Sequence, residues 1–513
     1  MSTRVLVLGG GIAGLLAARR HARGGARVTL VERREDVGGA VRGVDLGGVV
    51  VNAGAEAYGT GSGAVDALLS DLGLGLGERV VSPRAGLGSR VVSDAGALVS
   101  PPGGLLGIPG DPLSREVRAA LGTTGALRAW AERLLPASFG FVDGVSFAEY
   151  VRRRMGARVA ERLVAPIIGG VHSADPHTLE LASVLPRLEE TVRETGSLAA
   201  AVRRLRPQPH ASAGTAVRAL DPTMALLPGA LADDLLSHGG TMLSGTRAVG
   251  VRRGGTDAAE IQPDDPDAAW QVRLEGAHTG TLAADHLVIA TDPGTARDLL
   301  LGNGAAEADG SDASTGTGTG VGTGAGADAD ANYGLAEVAR AIPPSPAVAV
   351  RLVLLALDAP ELDAFPSGTG ALVAPGTRGI RAKGLTHASA KWEHVERAAR
   401  ERFGPHAHVL RLSYGRPGEV LPGDDALTDE QVTDLALADA SAILGSALTR
   451  EQLRAARTVT WRRTMRQARP GHRAALEDLD RILGSAGLPL ELTGAWRAGT
   501  GLDALVRHDG RTS

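Results

Sequence analysis

The chain has 513 residues, of which 43% are hydrophobic and 22% charged, and its formal net charge is −4. A chain of this length can bury several hydrophobic cores and suggests two to four domains. Its nearly balanced charge predicts no bulk attraction to nucleic acid, and the absence of cysteine excludes disulfides and thiolate metal sites.

The N-terminal residues and the hydropathy pattern bear on where the protein works. An apolar strand begins at Arg4, which leaves no room for a signal peptide before it. No run of about eighteen uncharged apolar residues occurs, and the apolar run Ala347–Leu357 is short and contains Arg351. The sequence therefore predicts a cytoplasmic protein without a transmembrane segment, and it offers no metal-ligand cluster.

The first elements form a βαβ unit with a glycine-rich turn. Residues 4–8 are an apolar run typical of a buried parallel strand, and a strong helix-forming stretch follows at residues 15–20. Between them lies the turn Gly9-Gly10-Gly11-Ile12-Ala13-Gly14, and a second strand at residues 27–31 ends at Glu32. This order of strand, G-x-G-x-x-G turn, helix, strand and acid predicts a dinucleotide-binding site.

Each glycine of the turn has its own role in such a site. Gly9 permits the tight turn, Gly11 lets the backbone approach a pyrophosphate, and Gly14 lets the helix pack closely on the strand. Free N–H groups and the positive end of the helix dipole then face the phosphates, and Glu32 accepts hydrogen bonds from a ribose. With 71 glycines in the chain, the motif alone would occur by chance about once. Its place between a strand and a helix is what makes it informative.

Two glycine-containing segments follow the ribose acid. Residues 35–42 read Glu-Asp-Val-Gly-Gly-Ala-Val-Arg, and residues 52–57 read Asn-Ala-Gly-Ala-Glu-Ala. The segment 35–42 resembles the extension shared by FAD-dependent amine oxidases, phytoene desaturases and protoporphyrinogen oxidases. The segment 52–57 is similar to the one that lies under the flavin in that group. The resemblance implies that the cofactor is FAD rather than a nicotinamide nucleotide.

The rest of the chain predicts further elements. Residues 114–221 are predicted to be mostly helical, and residues 285–291 form a strand that would rejoin the nucleotide sheet. Residues 303–332 are low in complexity and predict a disordered loop. Further strands are predicted at 348–355, 371–374 and 409–414, and a helix at 428–447 with Thr428 and Gln431 in a capping box.

Motifs along the whole chain resemble the protoporphyrinogen and coproporphyrinogen oxidase family, in its actinobacterial branch. Near the C-terminus, residues 461–472, Trp-Arg-Arg-Thr-Met-Arg-Gln-Ala-Arg-Pro-Gly-His, are similar to the family pattern Trp-x-x-Ala-Met-Pro-Gln-Tyr-x-x-Gly-His. The matches run in family order from residue 4 to about residue 505, and this coverage is more informative than any one motif. The other matching segments are 101–110, 165–176, 383–392, 410–416 and 493–502.

The resemblance implies an α/β fold. A discontinuous FAD-binding, Rossmann-like domain would hold an inserted mixed α+β substrate domain and a mostly helical domain. The implied ranges are 1–84, 222–300 and 455–513 for the FAD-binding domain, 85–113 and 333–454 for the substrate-binding domain, and 114–221 for the helical domain.

The resemblance also implies a reaction. Family members use FAD and molecular oxygen to oxidise a porphyrinogen to a porphyrin, in three two-electron steps that yield hydrogen peroxide. Coproporphyrinogen III is the implied substrate, because four propionates suit a wetter and more basic cavity, and protoporphyrinogen IX is the alternative. A ferrochelatase that takes over the product is a candidate partner.

The implied cofactor residues are spread over several segments. Trp461 could contact the flavin or could equally be a packed core indole. No catalytic side chain is assigned, because the flavin carries the redox chemistry. Beyond Gly9, Gly10, Gly11, Ile12, Ala13, Gly14 and Glu32, the implied cofactor residues are Arg33, Gly39, Arg42, Gly54, Ala55, Glu56, Ala57, Ala248, Trp461, Thr500, Gly501 and Leu502.

Cations of the implied substrate domain are candidates for holding the propionates, because arginine and lysine both bind carboxylates. These cations are Lys391, Arg411 and Arg381, and each could instead be a solvated or structural charge. His172 and His387 are further candidate polar residues of the site, although single histidines are usually structural or exposed.

Departures from the family pattern leave two other functions open. Thr464, Arg466 and Ala468 replace the usual Ala, Pro and Tyr, which fits a catalytically weakened, FAD-binding partner of haem synthesis. A flavin amine oxidase is the other alternative, but that family typically needs an aromatic cage around the amine. The chain offers few aromatic side chains for a cage, and its only tyrosines are Tyr58, Tyr150, Tyr333 and Tyr414.

Overall fold

A parallel sheet of five strands is assembled from distant parts of the chain. The strand predicted at 285–291 pairs in parallel with the first strand, so the prediction of a returning strand is confirmed. The order across the sheet is Thr241–Leu243, Arg27–Val31, Arg4–Leu8, His286–Ile289 and Leu490–Leu492. The computed structural model describes residues 2–77, 79–94, 96–99, 104–206, 216–254, 268–302 and 329–511.

Both faces of this nucleotide sheet are covered, which explains why its strands are nearly continuous apolar runs. In the first strand, Val5 and Val7 pack into one core, whereas Leu6 and Leu8 pack into another. The helices of this unit are Ile12–Arg23, Ala64–Asp71, Leu226–Ser237, Pro293–Leu300, Ala329–Ala341, His472–Ala486, Ala495–Ala498 and Leu502–Asp509.

Smaller antiparallel sheets flank the nucleotide sheet. One of them contains strand Thr246–Arg253, whose first backbone N–H donates to the carbonyl oxygen of Glu32 at 2.9 Å. This contact places the strand beside the end of the second nucleotide strand. The small sheets are Thr246–Arg253 with Trp270–Gly276 and Gly280–Ala284, the hairpin of Gly43–Leu46 and Val49–Asn52, and Tyr58–Gly59 with Val217–Leu220 and Val80–Val81.

A second large sheet has seven strands. One face packs on helix Asp429–Leu444, which begins with the predicted capping box of Thr428 and Gln431. On the other face, Leu354 and Val409 pack into a core shared with the nucleotide sheet. The strand order is Leu453–Arg466, Ala347–Asp358, Ala407–Tyr414, Gly384–His387, Gly370–Val373, Arg90–Ser93 and Gly96–Val99. Helices Ala388–Lys391 and Glu393–Phe403 and the 3-10 turns Pro360–Leu362 and Arg450–Gln452 complete this unit.

Residues 115–205 form a helical unit with a hydrophobic core of its own, to which the hairpin of Gly104–Leu105 and Ile108–Pro109 adds Ile108. Its longest helix, Arg115–Trp130, is kinked at Gly122, where φ is +72°. Across the described ranges, no helix is both long and apolar enough to traverse a bilayer. The other elements are helices Phe147–Met155, Ala157–Val159, Ala165–Ile167, Leu181–Val184, Leu188–Thr195 and Leu198–Leu205, the 3-10 turn Ala131–Leu134, and the π-helical turns Ala160–Val164 and Ile168–His172.

A buried ion pair lies inside the helical unit. Arg154 Nη2 is 3.0 Å from Glu132 Oε2, and neither side chain is more than 1% exposed. Glu132 also accepts hydrogen bonds from two backbone N–H groups at the start of helix Leu198–Leu205. Arg154 also donates to three carbonyl oxygens between residues 136 and 139. The pair therefore ties the start of helix Leu198–Leu205 to the loop of residues 136–139.

Two segments lie in a different unit from the one in which the resemblance implies them. Strand Leu453–Arg466 pairs with Ala347–Asp358, so residues 455–466 join the substrate sheet and not the FAD-binding domain. Helix Ala329–Ala341 packs in a core beside the nucleotide sheet rather than in the substrate unit. Most of the predicted loop, residues 303–328, lies outside the described residues, and residues 329–332 begin that helix. The residues of an element do not by themselves determine which sheet or core it joins, so the places of these two segments depend on long-range contacts.

Candidate functional site

The glycine turn has the geometry that a pyrophosphate cradle requires. Gly9 adopts a φ of +107°, and Gly11 caps helix Ile12–Arg23. A Cβ on Gly14 would lie 1.9 Å from the carbonyl oxygen of Gly9, so only glycine lets the helix approach the strand this closely. A Cβ on Gly11 would meet nothing within 4 Å. The space in front of the helix N-terminus is therefore open, and the residues present fit a dinucleotide.

Glu32 lies directly under the glycine turn. One carboxylate oxygen accepts the backbone N–H of Gly10 at 2.7 Å, and the other accepts that of Arg34 at 2.9 Å. Each carboxylate oxygen has a second lone pair, so a ribose hydroxyl can still donate to it. Ala248 lies two residues into the strand that adjoins Glu32, next to a β-bulge. Arg33 is exposed.

The second glycine pair packs directly on the first. The backbone N–H of Gly38 donates to the carbonyl oxygen of Gly10 at 2.7 Å. Gly39 adopts a φ of +60°, and a Cβ there would lie 3.3 Å from Gly11 Cα. Arg42 pairs with exposed Asp36 at 2.7 Å. The two loops form one backbone surface, with the charge of Arg42 partly neutralised at its rim.

The segment 54–57 meets the C-terminal part of the chain. A Cβ on Gly54 would lie 1.9 Å from the carbonyl oxygen of Ala40, so this segment also depends on glycine for close approach. Trp461 Nε1 donates to the carbonyl oxygen of Ala53 at 2.7 Å. The indole is only half-buried, and the guanidinium of Arg34 lies 5.8 Å from its ring centre. Trp461 is therefore outside the described hydrophobic cores, and it contacts the backbone that leads into the segment 54–57.

The predicted C-terminal contact precedes a helix that packs on the first one. Gly501 adopts a φ of +123° and caps helix Leu502–Asp509. Leu502 is buried in the core that also holds helix Ile12–Arg23, whereas Thr500 is exposed. A Cβ on Gly501 would meet nothing within 4 Å. This second helix N-terminus is thus also open at its cap.

Glu56 gathers three side chains from the substrate unit. Trp392 Nε1 donates to one carboxylate oxygen at 2.5 Å, and Lys391 Nζ lies 3.6 Å from the same oxygen. Arg411 reaches the other oxygen at 3.2 Å and also donates to the carbonyl oxygen of Gly54 at 2.6 Å. Burial alone would raise the pKa of Glu56, but the charges of Lys391 and Arg411 outweigh it and lower the pKa. We call these four side chains the Glu56 cluster; its net charge is positive.

Two other predicted site residues, Arg381 and His387, are not part of this cluster. Arg381 pairs with Asp425 at 2.9 Å and is 42% exposed. His387 is paired across the strands with Leu410, whereas Arg411 is paired with Thr386, so the two side chains point to opposite faces of the sheet. Burial lowers the pKa of His387 to about 3, and its Nε2 lies 3.1 Å from His408 Nδ1. The side chain of His172 lies outside the described residues.

Sequence reasoning missed Lys383. Its ammonium is buried and donates to Ser173 Oγ and, at 3.0 Å, to the carbonyl oxygen of Gly415. Burial, with a smaller contribution from Arg416 and Arg411, lowers the pKa of Lys383 to about 7. A signal was present, because Lys383 and Lys391 are the only two lysines in a chain with 54 basic residues. Lysine, unlike arginine, can become neutral inside a protein, so a buried lysine marks a position where the charge can change.

We expect the stability of the protein relative to a Lys383→Met variant to rise with pH above about 7. Between the lowered pKa of Lys383, about 7, and the ordinary value of about 10.4, the unfolded chain binds more protons than the folded one. The difference in the free energy of unfolding should therefore grow by about 3 kcal/mol from pH 7 to pH 10. Denaturant unfolding across this range measures it.

A Lys383→Arg variant is the matched control, because its charge persists at every pH tested. Its stability relative to Lys383→Met should stay flat between pH 7 and pH 10 and should be low throughout, because a permanent charge is then buried where Lys383 has the uncharged partners Ser173 and Gly415. If the free energy of unfolding of the wild-type protein relative to Lys383→Met also stayed constant from pH 7 to pH 10, Lys383 would not be the titrating group.

One group of potential metal ligands lies on the nucleotide sheet. His21, His286 and Glu491 have ligand atoms within 4.8 Å of one another. Arg20 already donates to Glu491 at 2.7 Å, and Asp509 holds the same guanidinium at 3.0 Å. Among the described residues, the carboxylate of Glu491 thus already has Arg20 as a cationic partner, in the place that a metal ion would otherwise fill.

Comparisons with known proteins agree on one family. The model of the flavin containing amine oxidoreductase family matches residues 12–311. Over 98% of its length the chain is 27% identical to the coproporphyrinogen III oxidase of Mycobacterium leprae (96% of that protein) and 28% identical to that of Mycobacterium tuberculosis strain H37Rv (95%). A candidate protoporphyrinogen oxidase of known structure from Exiguobacterium sp. 255-15 superposes with a TM-score of 0.73, 20% identity, and coverage of 100% of this chain and 98% of that one. The structural match supports the predicted α/β fold.

Proposed function

Because the chain belongs to the flavin containing amine oxidoreductase family, and is thus an FAD-dependent oxidoreductase, we propose that it oxidises coproporphyrinogen III to coproporphyrin III. The observation that supports this substrate most strongly is the similarity to mycobacterial coproporphyrinogen III oxidases along 98% of the chain. A match that includes the substrate unit and the helical unit is more informative about the substrate than the nucleotide-binding motif, which many flavoproteins share.

The residues that would hold FAD are those of the glycine turn, the second glycine pair, the segment 54–57 and the cap at Gly501. The glycine turn and the cap of helix Ile12–Arg23 would bind the pyrophosphate, and Glu32 the ribose. Gly54, Ala55 and Trp461 would lie against the flavin ring, with Gly501 and Leu502 closing the site. When bound, FAD accepts two electrons in each oxidation step and passes them to molecular oxygen, which leaves as hydrogen peroxide.

The Glu56 cluster would form the wall between the cofactor and the substrate. Arg411 uses its two Nη groups on Glu56 and on the carbonyl of Gly54, so its proposed role is to hold the segment 54–56 in place. Lys391 makes a longer contact with Glu56, and its ammonium is the cation better placed to attract a propionate. Arg381 is half-exposed and paired with Asp425, so it is the weaker of the candidate cations for a propionate.

The test is an aerobic porphyrin-fluorescence assay of the FAD-loaded protein on coproporphyrinogen III and protoporphyrinogen IX in parallel. Faster turnover of coproporphyrinogen III, with one hydrogen peroxide for each two-electron step, is the expected result. Faster turnover of protoporphyrinogen IX would mean that this compound, and not coproporphyrinogen III, is the substrate. Bound FAD without turnover of either substrate would favour the hypothesis of a catalytically weakened, FAD-binding partner of haem synthesis. That hypothesis rests on the departures from the family pattern at Thr464, Arg466 and Ala468.

Amine oxidation is a less well supported alternative. Tyr58, Tyr150 and Tyr414, the tyrosines with described side chains, are buried in three different hydrophobic cores. They therefore cannot line one aromatic cage together. Amine-dependent hydrogen peroxide formation in the same assay, without porphyrin formation, would nevertheless reverse this preference.

Replacing Glu56 with Gln is expected to lower the free energy of unfolding by about 2–3 kcal/mol at pH 7, because Lys391 and Arg411 lose their counter-ion in a largely buried site. The lowered pKa of Glu56 means that its stabilising effect is present above the ordinary carboxyl value of about 4.3 and is lost as the pH falls below it. Unfolding of both proteins from pH 3 to pH 7 measures this. Glu149→Gln, in the exposed pair with Arg153, is the control and should cost at most about 1 kcal/mol.

A further inference from the structure

A buried lysine joins the helical unit to the seven-stranded sheet. Lys383 immediately precedes strand Gly384–His387 and is 2% exposed, and Ser173 of the helical unit is 1% exposed. The side-chain nitrogen of Lys383 donates to Ser173 Oγ and to the carbonyl oxygen of Gly415. Gly415 is fixed in place, since a Cβ there would lie 2.1 Å from the carbonyl oxygen of Ala349. Lys383 therefore holds Ser173 against a closely packed part of the sheet.

The backbone that ends at Ser173 is unusual. Ser173 follows the π-helical turn Ile168–His172 and has a φ of +48°, in the left-handed region. A residue with a Cβ is disfavoured there and stays only where its surroundings hold it. Lys383 holds its hydroxyl, and Gln467 Nε2 donates to its carbonyl oxygen at 3.3 Å. Single π-helical turns are rare and often occur at functional sites. We call residues 168–173 the junction turn.

The junction turn packs on the face of the sheet that carries Arg411. A Cβ on Gly170 would lie 2.6 Å from Leu372 Cδ2, so the turn and the sheet are in close contact. Leu372, Gly384 and Ser413 are paired in a row across three strands and therefore share a face. Arg411 is two residues from Ser413 in its strand, so it lies on the same face. The junction turn thus covers the face that is proposed above to meet the substrate.

The charge of Lys383 depends on whether the junction turn covers it. Burial is the main cause that lowers the pKa of Lys383 to about 7, Arg416 and Arg411 lower it further, and Glu419 opposes them with a smaller effect. The helical unit contributes only the uncharged Ser173 to the contact. If the turn moves away, water reaches the amine and its ordinary pKa of about 10.4 returns. Uptake of a proton therefore favours the open arrangement.

We propose that Lys383 is a positioning residue for the substrate: its neutral side chain holds the junction turn on the sheet, and uptake of a proton from the solvent releases the turn. A neutral lysine amine still has two N–H groups, one for Ser173 and one for Gly415. The inference rests on the proposed function only for the identity of the substrate, a porphyrinogen.

Amide hydrogen exchange of the full-length, FAD-loaded protein tests the proton dependence without any substrate. After correction for the intrinsic exchange rate, the opening constant of the junction turn should be about 30-fold larger at pH 6 than at pH 8.5, as pKa values of about 7 and 10.4 require. Helix Leu226–Ser237 is the internal reference and should change little. Lys383→Gln is neutral at both pH values, so its junction turn should show no such dependence.

Steady-state kinetics at pH 8 test the positioning role. Lys383→Met loses both donors and should raise the KM for coproporphyrinogen III by about tenfold, with kcat and FAD content changed by less than about twofold. Lys383→Gln keeps an N–H donor pair and should bring KM back to within about threefold of the wild-type value. Arg378→Met is the matched control, because Arg378 is 88% exposed and pairs with Asp94 on the surface. It should change neither KM nor exchange.

Equal opening of the junction turn at pH 6 and pH 8.5 in the wild-type protein would overturn the proposal, even with normal turnover of porphyrinogen. The same pH dependence in Lys383→Gln would also overturn it, because another group would then control the turn. An unchanged KM in Lys383→Met would show that Lys383 does not position the substrate. If exchange behaves as expected but no porphyrinogen is oxidised, the proposed function and the substrate role fail, whereas the control of the turn by Lys383 is upheld.

Discussion

A Gly14→Ala protein is expected to lose FAD. The added Cβ would lie 1.9 Å from the carbonyl oxygen of Gly9, so helix Ile12–Arg23 would have to move away from the glycine turn. A hydrogen bond from a backbone N–H to a charged phosphate contributes about 1.5–3 kcal/mol, so losing one or two of them weakens binding on the order of 100-fold. The Kd for FAD should therefore rise by about 100-fold or more, which flavin content and FAD titration of the apoprotein would measure.

Gly229→Ala is the matched control for this experiment. Gly229 lies in helix Leu226–Ser237 of the same unit, and a Cβ there would meet nothing within 4 Å. Alanine is a better helix former than glycine, so this variant should keep its FAD and be slightly more stable. Wild-type affinity in Gly14→Ala would show that the glycine turn does not bind the pyrophosphate.

An Arg154→Met protein is expected to lose about 3–5 kcal/mol of its free energy of unfolding, because the buried charge of Glu132 is left without its cationic partner. Three backbone carbonyls also lose their donor. Denaturant unfolding measures the loss. Limited proteolysis should show cleavage between residues 136 and 142, the part of the loop that Arg154 anchors.

Two further variants separate charge burial from simple loss of arginine. Arg153→Met removes the neighbouring arginine, whose partner Glu149 is on the surface, and should cost at most about 1 kcal/mol. Adding Glu132→Gln to Arg154→Met should recover part of the loss, because the amide oxygen still accepts from helix Leu198–Leu205 and no charge remains buried. Equal effects of Arg153→Met and Arg154→Met would contradict the role of the buried pair.

Local patterns in the sequence predicted much of the nucleotide-binding unit. The glycine turn, the acid Glu32 and the returning strand at 285–291 are each specified by residues that are adjacent in the chain. The capping box of Thr428 and Gln431 is another local feature, and it begins the predicted helix. Such features depend on backbone conformation within a few residues, so they can be predicted without knowledge of the tertiary contacts.

Features that depend on distant contacts were not predictable in the same way. Glu56 and Arg411 are 355 residues apart in the chain, and no periodicity relates them. His387 is paired with Leu410, the neighbour of Arg411, so strand alternation turns His387 to the face of the sheet opposite Arg411. Strand Leu453–Arg466 joins the substrate sheet by pairing with Ala347–Asp358, which is distant in the chain, so local sequence does not determine its place. The rarity of lysine in the chain could have singled out Lys383, but its partners Ser173 and Gly415 could not have been predicted.

The order of strands in the nucleotide sheet has a consequence for how the protein is made. Strand Arg4–Leu8 is synthesised first, but the sheet is completed by Leu490–Leu492, near the end of the chain. The ribosome must therefore release nearly the whole polypeptide before the cofactor cleft can close. The helical unit, by contrast, is continuous from residue 115 to residue 205 and has its own core, so it can fold while synthesis continues. We therefore expect FAD loading to follow translation, because the proposed cofactor contacts Thr500, Gly501 and Leu502 are among the last residues synthesised.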